Sequence, residues 1–488
     1  MNKHERTLDP DDWERAKRLG YRIVDDLFDD IKRAKTATFH SIKESDKLAL
    51  MAPLTKEGEG EEEAYESLFK HAMDSMVAAK TARFWGYVVG GGSHYGVLAD
   101  MIASEFNWGD SPLFASGVIN NQALNYIKEM LGYPMEASGV FVSGGSEANF
   151  TGLAVARNAR SEIDLKTKGV QGVPRKMTLY MSDQGHDCLD KSVEILGLGN
   201  EALRRIPTDD AFKIRVDKLE DAIRIDRENG YHPFCVIGCA GTVNTGAFDD
   251  FNKLAGIAER EKMWLHIDGA FGAWVKISQT HKHLTSGMER ADSLAVDLHK
   301  WMDMPYEIGC TFTRHPTEHV KTFVYGHEAE YLKTAIDALN DLATTNNFCI
   351  RLSNQARGVK PYLLLRAYGS KRYCDLVQQN LDQVNYFASE ISKQSDMEIC
   401  APVESNIVCF RYKPKGLSEE QVEKLNRSIL QSLWNISLYM ISDTQIKGRY
   451  ALRVCNVNHR TCKSDFDWLV SEIKKQGEKL FPEIISGK

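Results

Sequence analysis

A lysine at the end of a buried strand is the first candidate for chemistry in this chain. Residues 293–309 (SLAVDLHKWMDMPYEIG) read as an apolar strand that presents His299 and Lys300 beside Trp301. Desolvating an ammonium is costly, so lysine is seldom buried without a partner or a purpose. A desolvated lysine is expected to have a depressed pKa and to act as an amine nucleophile, the group that Schiff-base formation requires. Alone, the same position suits a lysine whose head reaches solvent. The second candidate is the strand 264–268 (WLHID), which ends in Asp268 and is followed by Gly-Ala270-Phe-Gly. A carboxylate there needs a cationic partner, and the protonated ring nitrogen of pyridoxal phosphate is one. The small residues after it let a flat ring approach the backbone.

Three further strand ends add to the pattern. Residues 139–149 (GVFVSGGSEAN) read as a strand, two glycines and a serine opening a helix, so that free N–H groups of Gly145 and Ser146 face an anion such as phosphate. The sequence is neither GxGxxG nor GxxxxGK[ST], which excludes dinucleotide- and NTP-binding readings. His186 lies just beyond the strand 177–182, where an imidazole can stack on a ring or move protons. Residues 240–246 (AGTVNTG) place the Thr242 hydroxyl at another strand end. Each signal alone has a structural explanation. Together, in chain order and with Asp268 and Lys300 32 residues apart, they make the kit for holding pyridoxal phosphate.

The elements that must position these residues are legible in the texture of the chain. Short apolar runs at 139–143, 177–182, 234–240, 263–268, 293–296 and 308–312 alternate with helical stretches such as 249–262. Strands alternating with helices predict a mostly parallel, seven-stranded sheet covered on both faces, with ligands at the carboxyl ends of strands. Residues 1–80 read as a helical segment, with Asp9-Pro10 as its first cap and Trp13, Ala16, Leu19, Ile23, Leu27 and Ile31 as an apolar stripe. Such a stripe must dock on the main body or on a second subunit, and a subunit contact is the reading preferred here. Residues 81–355 form the large α/β domain. A helical run through 360–368 and strands within 398–412 and 450–457 predict a smaller C-terminal α+β domain over 356–488.

The composition limits the alternatives. The 488 residues carry 68 Asp and Glu against 61 Lys and Arg, a net charge of −7, with 43% hydrophobic residues. That balance suits a globular protein and argues against nucleic-acid binding by phosphate neutralisation. No apolar run has the length of a membrane span, and the charged N-terminus is no secretory signal. Ten scattered cysteines without CxxC pairs suggest reduced thiols in a cytoplasmic protein and no metal site.

The motifs SGGSEAN (143–149), SDQGHDCLDKS (182–192), HIDGAFG (266–272) and DLHKW…PYEIGC (297–310) resemble signatures of the group II pyridoxal-phosphate-dependent amino acid decarboxylases, of the aspartate aminotransferase-like fold type I. The resemblance runs from about residue 8 to 480 and is strongest over 83–309. It implies that Lys300 carries the cofactor as an imine, that Asp268 holds the pyridinium nitrogen, and that His186 stacks on the ring and assists proton transfer. It places Gly145, Ser146 and His299 at the phosphate, with Thr242 and Ala270 as neighbours. It further implies a homodimer with the active site at the subunit interface.

The implied reaction is decarboxylation of an L-amino acid to its amine and carbon dioxide. Phe84, Trp85, Tyr87, His94 and Tyr95 are candidates for an aromatic substrate pocket, although aromatic clusters are commonly core. One departure stands out. Relatives carry a loop tyrosine that protonates the carbanion, whereas residues 334–350 contain neither Tyr nor His. Phe348, or Tyr325, His327 and Tyr331 upstream, then bear on the outcome, because relatives with Phe at that place tend towards aldehyde synthesis. The alternatives are an aldehyde synthase, another lyase or a transaminase. A non-catalytic cofactor-binding or assembly role is the remaining reading, and an intact Lys300 argues against it.

Overall fold

A computed structural model describes residues 7–34, 36–38, 41–54, 56–76, 78–107, 114–324 and 347–486. Seven strands build the main sheet: β1 (Ser138–Val142), β2 (Met177–Ser182), β3 (Leu203–Ile206), β4 (His232–Cys239), β5 (Trp264–Asp268), β6 (Ser293–Asp297) and β7 (Gly309–Thr313). Their order is β1-β7-β6-β5-β4-β2-β3. All pairs are parallel except those of β7, which runs antiparallel to both β1 and β6. Six of the seven match the apolar runs within two residues at either end. The exception is β3, whose sequence LRRI carries two arginines: it is an edge strand, and Arg204 pairs with Asp226 rather than interrupting a core. Strands β2, β5, β6 and β7 are buried at every position, as expected when helices cover both faces of a sheet.

The C-terminal part carries an antiparallel sheet of β8 (Met397–Ile399), β9 (Ile407–Tyr412), β10 (Ser442–Ile446) and β11 (Arg449–Cys455), ordered β10-β11-β9-β8. Helices Glu419–Asn435 and Lys463–Ser486 pack on it. The helix expected through residues 360–368 spans Val359–Ser392, broken at Gly369, where φ is 70°. That left-handed conformation favours glycine and permits the kink.

The second core draws one residue from far upstream. Trp85 is buried among Phe466, Tyr439 and their neighbours, its ring stacked 4.7 Å from Phe466. Its indole N–H donates to Thr461 Oγ1 at 3.1 Å, and its backbone N–H donates to the Met440 carbonyl.

Near the N-terminus, helix Trp13–Arg33 is capped by Asp12, whose side chain accepts from the N–H groups of Glu14 and Arg15, so the cap lies three residues beyond the expected Asp9. The helix is tied to helix Glu61–Ala72 by polar contacts, Tyr65 to Asp26 and Arg22 to Glu66. Its apolar stripe is only half covered: Trp13 is 66% exposed and Tyr21 62%, with Leu48, Met51 and Leu54 exposed nearby. Among the described residues, no helix is long and apolar enough to cross a membrane, and no group of His, Cys, Asp and Glu side chains is placed to hold a metal ion.

Candidate active site

The carboxyl ends of the central strands meet at a cavity of about 410 Å³. That lies within the usual range of roughly 300–1,000 Å³ for small-molecule sites. Seven of the eight residues expected from the sequence line it: Gly145, Ser146, His186, Thr242, Asp268, Ala270 and Lys300. Register explains the convergence. Asp268 closes β5, beside Cys239 at the end of β4 and Ala295 in β6, while Lys300 follows three residues after β6 ends. Lys300 and Asp268 therefore face one shared slot.

Asp268 is largely buried, and its Oδ1 accepts a hydrogen bond from the Ala270 N–H at 3.2 Å. His186 Nδ1 accepts from the Cys188 N–H at 3.0 Å, which leaves Nε2 to carry the ring proton. The Thr242 hydroxyl is engaged within its own turn, 2.9 Å from Thr245 Oγ1 and accepting from the Ala247 N–H. His299 is the expected residue that does not line the cavity. It stands behind the glycine turn, with Nδ1 close to the Ile308 carbonyl and its ring stacked 4.1 Å from Tyr306.

The amine differs from the sequence expectation in sign. Burial pulls the Lys300 pKa down, but the Asp297 carboxylate 2.9 Å away, with a further contribution from Asp268, raises it above the ordinary lysine value. Lys300 is thus a half-buried ammonium held by acids. The expected depression considered desolvation alone and omitted the opposite charge. Two thiols share the cavity, Cys188 and Cys239. Burial pushes Cys188 up to about 12 and Cys239 well above its ordinary value, so both remain protonated at neutral pH.

The anion cradle is built by the helix Gly145–Arg160. No side chain caps its first turn. A Cβ on Gly144 would stand 2.8 Å from His299 Cε1, and one on Gly145 would stand 2.8 Å from Asp297 Oδ2, so both positions need glycine for lack of space. Buried polar links hold the helix in place. Trp264 Nε1 donates to Ser293 Oγ at 2.8 Å, and Ser293 Oγ and Asn149 Oδ1 flank the two nitrogens of His266, each at 2.8 Å. Burial holds His266 down to about 4, so it is neutral at physiological pH and joins β5, β6 and the helix as an uncharged relay.

Arg453 in β11 is a site residue that the sequence reading did not single out. It lines the cavity from the C-terminal sheet and is 3% exposed. Its Nε donates to the Val243 carbonyl at 2.9 Å, and Nη1 donates to the Tyr87 carbonyl and Ser442 Oγ, each at 3.0 Å. Nη2 is buried without a protein partner. The available signal was an arginine between apolar neighbours in a strand (YALRVC). Of the five expected pocket aromatics, Tyr87 lines the cavity, with Val88 beside it. Trp85 is core, and Tyr95 packs edge-on against Tyr368. Phe348 packs on His319, 4.8 Å between ring centres, and does not line the cavity. Tyr325, His327 and Tyr331 lie outside the described residues.

The arrangement fits pyridoxal phosphate: an amine and a carboxylate lining one cavity, and a glycine cradle with free N–H groups beside them. Comparison with known proteins agrees. Residues 49–413 match the family model described as the pyridoxal-dependent decarboxylase conserved domain. The chain is 31% identical over 473 residues to an aromatic-L-amino-acid decarboxylase of Bacillus atrophaeus, covering 96% of each chain. It shares its fold with a crystal structure of Oryza sativa TDC with PLP and tryptamine, at a TM-score of 0.89 and 22% identity, over 97% of this chain and 100% of that one. The same fold recurs in a Rhodiola rosea 4-hydroxyphenylacetaldehyde synthase, at a TM-score of 0.85 and 21% identity, over 97% and 100% of the two chains.

Proposed function

The chain belongs to the pyridoxal-dependent decarboxylase family, and from that premise we propose that it decarboxylates an aromatic L-amino acid to the corresponding amine. The observation that carries the reading is the one cavity that Lys300 and Asp268 share with the glycine cradle and Arg453. When bound, pyridoxal phosphate supplies the electron sink for the pair released at the substrate's Cα.

The chain's own residues do the rest. Lys300 provides the amine that holds the cofactor covalently. Asp268 keeps a proton on the ring nitrogen through its negative charge. Gly145 and Ser146 offer N–H groups to the phosphate, and His299 supports that turn from behind. His186, with its proton on Nε2, would lie against the cofactor's ring and would supply a proton to the substrate. Ala270 and Thr242 bound the flat slot. Arg453, a cation on the cavity wall whose Nη2 has no protein partner, anchors the amino acid's carboxylate through a charge-assisted contact.

The aromatic preference is supported by the B. atrophaeus relative and by Tyr87 at the cavity wall. The uncovered apolar faces of residues 8–54 support a homodimer in which this segment packs across the subunit interface. The decisive experiment incubates purified protein with aromatic L-amino acids and scores carbon dioxide, amine, ammonia and peroxide. Equimolar carbon dioxide and amine supports decarboxylation, whereas ammonia and peroxide with aldehyde overturn it in favour of aldehyde synthesis. Lys300→Ala is expected to abolish the borohydride-fixed cofactor adduct in a mass spectrum. An adduct that persists removes Lys300 from its role.

A further inference from the structure

A buried carboxylate stands directly behind the glycine turn that fits the cofactor's phosphate. Asp297, the last residue of β6, is 1% exposed. Its Oδ2 would lie 2.8 Å from a Cβ on Gly145, and its Oδ1 2.6 Å from a Cβ on Gly309 and 3.5 Å from one on Gly144. The carboxylate therefore rests against the first turn of the helix Gly145–Arg160, where the free N–H groups lie. Neither oxygen makes an aligned hydrogen bond. Lys300 Nζ stands 2.9 Å from Oδ2 and His299 Nε2 stands 3.7 Å from it.

Among the described residues, four titratable groups face this carboxylate. Lys300, His299 and Tyr306 come from the loop after β6, and Cys310 comes from β7. From the helix, Gly145 lies against the carboxylate, and the turn after β5 brings Ala270 to the same glycine. Burial lowers His299 and raises Cys310, so both are neutral at physiological pH. Lys300 is the one cation among these groups, and it is committed to the cofactor's carbonyl end. An ionised carboxylate beside a bound phosphate would repel it, and the more so the more negative the phosphate.

We propose that Asp297 and the cofactor's phosphate share one proton, so that loading of the phosphate-bearing cofactor is coupled to uptake of that proton. The inference rests on the cofactor site described above and concerns its resting ionisation. Asp297 then acts as a positioning residue, a hydrogen-bonded neighbour of the phosphate in place of a repelling one.

The test is calorimetric and does not need turnover. Apo-protein is titrated with pyridoxal phosphate, and separately with pyridoxal, in buffers of different ionisation enthalpy at mildly alkaline pH. The wild-type protein is expected to take up about one more proton with pyridoxal phosphate than with pyridoxal, and its affinity for the phosphorylated form is expected to fall about tenfold per pH unit. Asp297→Asn is expected to remove the extra proton and flatten that dependence. Equal proton uptake with the two ligands in the wild-type protein overturns the proposal, and this measurement needs no variant. A protein that binds neither ligand refutes the cofactor site itself, which is a different failure.

Discussion

Truncating Arg453 to methionine keeps the aliphatic stem and removes every donor. In the free protein this orphans the carbonyls of Val243 and Tyr87 and the Ser442 hydroxyl, three bonds between 2.9 and 3.0 Å. In the complex it removes the charged partner of the substrate carboxylate, a hydrogen bond to an ionised group worth about 1.5–3 kcal/mol. At about 1.4 kcal/mol per tenfold, KM is expected to rise about 10- to 150-fold. The pairing stabilises a charge that leaves as carbon dioxide, so it favours the ground state over the transition state and kcat is expected to hold or rise. Arg453→Lys keeps the charge without the fork and is expected to fall between the two. The assay is steady-state carbon dioxide release, with inhibition by the amine product measured alongside. That product has no carboxylate, so its inhibition constant is expected to be unchanged. A KM within about twofold of wild type, or a product constant that weakens in step with KM, refutes the assignment.

Adding a methyl at Gly145 puts Cβ 2.8 Å from Asp297 Oδ2 and 3.1 Å from Ala270 Cβ; overpacking of about 1–3 kcal/mol is expected to weaken cofactor binding about 5- to 150-fold by equilibrium dialysis, and unchanged binding would contradict the cradle. His266, His319 and His459 are each held down to about 4, chiefly by burial. Their folded values lie below the unfolded value of about 6.5, so the stability they contribute is full above that pH and lost as pH falls towards about 4. Melting temperature is expected to drop over that window and to drop less in His319→Gln, and parallel curves would exclude His319 from the effect. Asp303 runs the other way: burial pushes it up to about 8, while its Oδ1 accepts from the Gly91 N–H at 2.7 Å. Its contribution is full below the unfolded value of about 4 and lost as pH rises through about 8. Asp303→Asn is expected to melt at a temperature less sensitive to pH between about 4 and 8, which scanning calorimetry measures.

What the sequence disclosed follows from which interactions are local. Buried strands announce themselves as apolar runs, and β2 is read to the residue because every position in Met177–Ser182 faces packing. Edge strands do not: β3 (LRRI) and β10 (SDTQI) keep polar side chains at the rim, and pairing with a neighbour is what makes them strands. Lys300, Asp268, Gly145 and Ser146 were legible because each stands at a strand end or turn that its own neighbours define. Arg453 was not, because its place at the cavity is set by Tyr87 and Val243, which lie hundreds of residues away in the chain. The sign of the Lys300 shift failed for the same reason. Burial was inferable from the apolar context, but the approach of the Asp297 oxygen to the amine was not.

The indole of Trp85 also bears on how this chain is made. Its partner Thr461 is 376 residues later, so a ribosome has released nearly the whole polypeptide before that ring has anywhere to go. Until then the tryptophan is an exposed apolar hazard on the nascent chain, a natural place for a chaperone to hold. A fragment starting at the C-terminal sheet would emerge with a ring-sized gap in its interior. Splitting the gene there is expected to give two insoluble pieces, which would associate into soluble protein only when synthesised together.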